Sequence, residues 1–158
     1  MKLDSRVEQA LQAINFVERY KELSDKFSLD RTPKEKRLNI ITGELIFDAF
    51  EDLGYRAKFD GREKFFYIEP FKENDYTFGF HISIFKGLVE LIWIVKDSQN
   101  KVILGTPLME FSRRLISPDY RIMDPVTADY DDFENVMKIA FEMYEDFKQA
   151  FMKIVAED

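Results

Sequence analysis

Apolar residues recur at three- and four-residue spacing near both ends of the chain and at alternate positions in its middle. The first helical stretch runs through Val7, Ala10 with Leu11, Ile14, Val17, Tyr20 and Leu23. That stripe predicts one helix entered at Ser5, with Ser5 and Glu8 spaced as a capping box. The pattern decays over residues 24–31. A second helix is predicted from Thr32, a good N-cap followed by Pro33 at the first helical position and Glu35 to complete a box. Leu38, Ile41, Leu45, Ala49 and Leu53 mark one face, and Ile40, Ile46, Phe47 and Phe50 widen it. An apolar arc this wide implies contact with more than one neighbouring element. Gly54 stops the helix.

The period then changes to two. Residues 55–59 form a short strand, and Asp60-Gly61 is a strong hairpin signal. A second strand covers 64–71, weakened at its end by Pro70, which cannot donate to a ladder. After a turn at 73–75 comes the clearest alternation in the chain, with Tyr76, Phe78, Phe80, Ile82 and Ile84 on one side and Thr77, Gly79, His81 and Ser83 on the other. Lys86-Gly87 turns the chain into 88–95, apolar on both faces apart from Glu90 and therefore expected to be central. A turn at 97–100 leads to a last strand at 102–104. Connections this short require antiparallel neighbours, because parallel pairing needs a crossover of a dozen or more residues.

Pro107 opens a short helix through Leu115, and residues 117–127, with Pro118 and Pro125, read as an ordered loop. Asp129 then caps a long helix with Asp131, Asp132 and Glu134 in its first turn, where the helix dipole favours anions. Its apolar stripe runs through Phe133, Val136, Met137, Ala140, Phe141, Tyr144, Phe147, Phe151, Ile154 and Val155. The expected fold is one α+β domain over residues 1–158. It comprises an antiparallel five-strand meander, two N-terminal helices, a short helix and a long C-terminal helix packed on one sheet face. At 1.5 Å per residue the last helix is longer than a short sheet needs. Its surplus is available to the first helix or to a second copy in a homodimer.

Composition sharpens this picture mainly by exclusion. The chain has 158 residues, no Cys and one His. Disulfide scaffolds, thiol catalysis, cysteine zinc sites and multi-His metal sites within one chain are thereby ruled out. The longest notable apolar run, 91–95, is too short to span a bilayer. The N-terminus carries no apolar targeting core, so a cytoplasmic location without membrane contact is expected. Charge is distributed unevenly: residues 1–123 are balanced, and residues 124–158 carry three Lys against ten Asp and Glu, which accounts for the whole net charge of -7. An acidic helix on a neutral body attracts basic proteins and repels phosphate backbones. The plainer reading, a solvated helix face that aids solubility, is the preferred one for a charge run of this kind.

Candidate chemistry is sparse. His81 is the one conventional neutral-pH acid/base, with Ser83 two positions on and on the same strand face. Successive same-face residues lie about 7 Å apart at Cα, and no Gly-x-Ser-x-Gly turn exposes the hydroxyl. A small hydrolase around His81 and Ser83 is therefore the weaker reading. Glu44, Asp48 and Asp52 share one face of the second helix, where a wet face with Arg56 or Lys58 nearby is the preferred reading over a site for a cation or a partner's Arg. No glycine-rich phosphate loop or metal-ligand spacing is present, and no cofactor is expected. Short basic clusters at Lys34, Lys36 and Arg37 and at Arg113 and Arg114 are too small to argue for nucleic acid. Phe65 and Phe66 place adjacent rings on opposite strand faces, so helices on only one face leave one ring exposed.

These features favour a non-enzymatic protein-binding module. Asp131, Asp132, Glu134, Glu142, Glu145 and Asp146 are the candidate partner-binding residues. In general architecture the chain resembles the small acidic immunity proteins that bacteria use against polymorphic or contact-dependent toxins. The resemblance spans the whole chain and implies a domain that neutralises a basic toxin through acidic and aromatic side chains. Helix, meander and long helix are also similar to secretion-chaperone-like folds, which implies a domain that holds an unfolded client.

Overall fold

The computed structural model describes residues 2–38 and 42–157. Its first helical stretch is two helices, α1 (Ser5–Ala13) and α2 (Phe16–Lys26), rather than one. Asn15 between them sits in the left-handed region at φ 58°, which asparagine tolerates better than other side-chain-bearing residues. Its N–H closes a turn onto the Gln12 carbonyl at 3.0 Å. Both helices nevertheless bury the expected stripe, with Val7, Ala10 and Leu11 on α1 and Phe16, Tyr20 and Leu23 on α2. Asp4, not Ser5, is the N-cap: its carboxylate accepts the Arg6 N–H at 2.9 Å. The Arg6 guanidinium, 3.1 Å away, holds that carboxyl below its ordinary range.

The second predicted helix begins ten residues late. Lys34–Lys36 is a single 3₁₀ turn and Arg37 is extended. Helix α3 spans Gly43–Asp52 behind Thr42 as N-cap. The Leu38 N–H leaves helical geometry to bond the Thr127 carbonyl at 2.9 Å, so tertiary pairing overrides the local capping signals at Thr32 and Pro33. Ile40 and Ile41, assigned to the helix face from sequence, lie outside the described residues. Ile46, Ala49 and Phe50 are buried as expected, and Gly54 ends the element at φ 89°.

Six antiparallel strands follow: β1 (Ala57–Asp60), β2 (Phe65–Ile68), β3 (Phe71–Glu73), β4 (Tyr76–Phe85), β5 (Leu88–Lys96) and β6 (Val102–Leu104). Their order is β1-β2-β4-β5-β6, and β3 also pairs with β4. The expected five strands become six because Glu69-Pro70 interrupts the second, leaving β2 and β3 as separate pieces on one partner. On β4 the side chains of Phe78, Phe80 and Ile82 are fully buried, and those of His81 and Ser83 on the opposite face are half-buried. Gly87 is obligatory in the β4–β5 turn. Its φ is 83°, and a Cβ there would stand 2.7 Å from Arg37 Cβ and 2.9 Å from the Thr127 oxygen. The edge of β5 that carries β6 near its end is covered at its start by residues 125–127, through bonds from Val89 N–H to Pro125 O and from Thr127 N–H to Gly87 O.

Helix α4 (Leu108–Leu115) and the 27-residue α5 (Tyr130–Ala156) complete the layer over the sheet. Asp129 caps α5 by accepting the Asp132 N–H at 2.8 Å. Trp93 stands at the centre of the core. Its ring stacks on Phe147 at 5.2 Å and meets Phe16, Phe80, Phe111 and Tyr144 at 5.7–6.2 Å. Each of these fully buried rings contributes roughly 1.5–3 kcal/mol relative to exposure. Helix α1 packs along α5, which takes up much of the length that the sheet alone does not need. Among the described residues no helix is long and apolar enough to cross a membrane.

Candidate functional site

The six acidic candidates on α5 do not form one patch. Asp131, Glu134 and Glu142 are exposed and make no ion pair among the described residues. Asp132 turns inward. It is 7% exposed, with Oδ1 receiving Arg31 Nη2 at 2.8 Å and Oδ2 receiving the Ala128 N–H at 2.9 Å. Asp146 pairs with Arg19 at 2.9 Å. Glu145 accepts the Tyr55 hydroxyl at 2.5 Å and pairs with Lys148 at 3.0 Å. Arginines of the neutral N-terminal region therefore already neutralise part of the acidic helix. The three unpaired acids divide further, since Glu134 and Glu142 are about 12 Å apart along the axis with exposed Lys138 between them.

The His81 neighbourhood is built for stacking. Tyr67 of β2 and Ile92 of β5 flank His81 in register. The imidazole lies flat on Phe65 at 4.3 Å, with planes 15° apart, and meets the edge of Tyr67 at 5.9 Å. Partial burial lowers its pKa, with the Lys96 charge acting in the same direction and Asp60 opposing. Among the described residues the ring makes no hydrogen bond to Ser83 or to a carboxylate. This places a neutral ring on an aromatic surface and assembles no proton relay. Phe66, on the opposite face, packs against Phe47 and Phe59, so the two adjacent rings separate as the alternation requires. Glu44, Asp48 and Asp52 all lie exposed on α3. Among the described residues no group of three or more acidic or His side chains is placed to hold a metal ion.

One constellation was not singled out from sequence. A cavity of about 580 Å³ lies between α5 and the β2–β3 segment, lined by Tyr55, Glu69, Phe71, Glu73, Glu145 and Lys148 among others. Lys148 is nearly buried, and its ammonium lies over the rings of Phe71, at 4.3 Å, and Tyr144, at 4.8 Å. Burial and the hydrogen bond to Glu145 raise the pKa of Tyr55. The three-residue spacing of Glu145 and Lys148 on one helix face was the available sequence signal. Tyr144 stands beside them on the same helix, whereas Tyr55 and Phe71 come from distant segments and left none.

Comparison of the chain with known protein families, curated proteins and solved structures finds no match.

Proposed function

We propose that this domain is a non-enzymatic protein-binding module that takes a basic protein partner on the outer face of α5. An immunity-type inhibitor of a basic toxin is the specific form of that reading. The observation that carries it is that Asp131, Glu134 and Glu142 are exposed, and unpaired among the described residues, on a helix whose other face is anchored in the core. Fixed charges on a rigid element steer an oppositely charged partner and raise its association rate. Asp132, Glu145 and Asp146, tied to Arg31, Lys148 and Arg19, contribute to the helix's field more than to direct contact. The stacked, unbonded His81 favours binding over hydrolysis.

The test is association kinetics with the partner across ionic strength. Reversing Asp131, Glu134 and Glu142 to Lys slows association and flattens its salt dependence. Unchanged rates would sink the proposed surface. A second reading, a holder of an apolar client, draws on the opposite sheet face, where Phe85 is 71% exposed and Phe65, Tyr67 and His81 form a ring platform. In that case binding resists salt and is lost on Phe85→Ser.

A further inference from the structure

We propose that the cavity between α5 and the β2–β3 segment is a seat for a basic side chain presented by the partner, an arginine guanidinium above all. This deepens the protein-binding reading above and rests on it. The cavity exists because Glu69-Pro70 breaks the strand. Proline cannot continue the ladder, and Glu69 and Pro70, between β2 and β3, line the cavity. Its volume of about 580 Å³ leaves ample room for a long side chain.

The lining sets the chemistry. Glu69, Glu73 and Glu145 face one cation, Lys148. Lys148 is already paired with Glu145. Glu69 has only a long 3.6 Å contact with Lys58, exposed on both sides. Glu73 has no ion pair among the described residues. An anion would meet three carboxylates, whereas a cation relieves their excess charge. A bare metal ion is disfavoured, because these carboxylates are not grouped as ligands among the described residues and the remaining wall is aromatic.

A second, independent observation also points to a cation. The site already holds one: Lys148 is nine-tenths buried, and its ammonium lies over the Phe71 ring of the wall at 4.3 Å and over Tyr144, outside the lining, at 4.8 Å, the geometry of cation–π recognition. Phe71 remains 44% exposed, so ring surface is left for a second cation. Among the described residues the buried hydroxyl of Tyr144, whose ring Lys148 also covers, has no hydrogen-bond partner. Arginine fits this set best, because its planar guanidinium stacks on a ring while donating to carboxylates at its edge. The Tyr55–Glu145 bond also borders a neighbouring cavity lined by Glu142 and Asp146 together with Lys138. The seat is thus continuous with the acidic face of α5.

The experiment titrates the whole protein with N-acetyl-argininamide and with its neutral citrulline analogue, followed by amide NMR shifts. Saturable shifts at Tyr55, Phe71, Glu73 and Gln149 are expected, with the citrulline analogue at least fivefold weaker. Phe71→Ala and Glu73→Gln, both at exposed strand positions, should each weaken binding threefold or more with the remaining spectrum unchanged. Equal response to the citrulline analogue, or shifts confined to the region of Asp131 and Glu134, would overturn the seat. Because the probe is a single residue, that failure leaves the partner reading intact. Failure of the charge-reversal test on α5 leaves the seat intact.

Discussion

The Tyr20 hydroxyl donates a 3.0 Å hydrogen bond to Asp124 Oδ1 across 104 positions of sequence, fastening the 117–127 segment to α2. Burial is the main reason the Asp124 carboxyl is raised to about 6. The Glu90 charge adds to it, and the bond from Tyr20 opposes it. A carboxyl raised in the folded state favours the fold while protonated. Its contribution is complete below its ordinary value of 3.8 and is lost as pH rises through about 6. Lowering the pH from 7.5 to 5 should therefore gain roughly 1–1.5 kcal/mol from this group. Asp124→Asn should match or exceed the native protein's stability at pH 7.5, and the difference between the two should shrink on acidification. Urea melts across that range measure it. A difference independent of pH would contradict the assignment.

Asp131 and Asp132 are adjacent in sequence and opposite in consequence. Asp132 holds Arg31 and the Ala128 N–H while 7% exposed, whereas Asp131 faces solvent. Asp132→Ala should cost about 2 kcal/mol, the order expected for losing charge-assisted hydrogen bonds. Asp131→Ala and Glu134→Ala should stay within about 0.5 kcal/mol, as exposed substitutions do. Thermal or urea unfolding of the three variants checks the ranking. Equal losses would mean that the helix face is assigned wrongly.

The break at Asn15 makes a conformational prediction. Asn15→Gly should fold with little loss. Asn15→Val should cost about 1–2 kcal/mol, because a β-branched side chain strains the left-handed region. Should Asn15→Val prove neutral, α1 and α2 would be better described as one continuous helix in solution.

The same residue explains what sequence reading misses. The break preserves the phase of the apolar stripe, so Ile14, Val17 and Tyr20 fit a single helix equally well, and only Asn15 marked the discontinuity. The strands were more legible. Period-two alternation defined β4 at its observed bounds, and the turns fell where Asn74, Lys86, Gly87 and Asn100 take positive φ. Pro70 was visible as a weakness but not as a division. Thr32, Pro33 and Glu35 carry good helix-start chemistry, yet the Leu38 bond to Thr127 prevails. At the candidate site the acids themselves were legible. Their partners Arg31 and Arg19 lie about a hundred or more positions away in the chain, where no local pattern reaches.

The central claim is tested most directly by a tagged pull-down from native lysate at low and high salt. The unaltered protein and its Asp131→Lys, Glu134→Lys, Glu142→Lys triple variant are compared side by side, and retained proteins are identified by mass spectrometry. The account predicts one basic protein, held stoichiometrically by the unaltered domain at low salt, weakened at high salt and lost from the triple variant. Equal retention of that protein by both forms would contradict it.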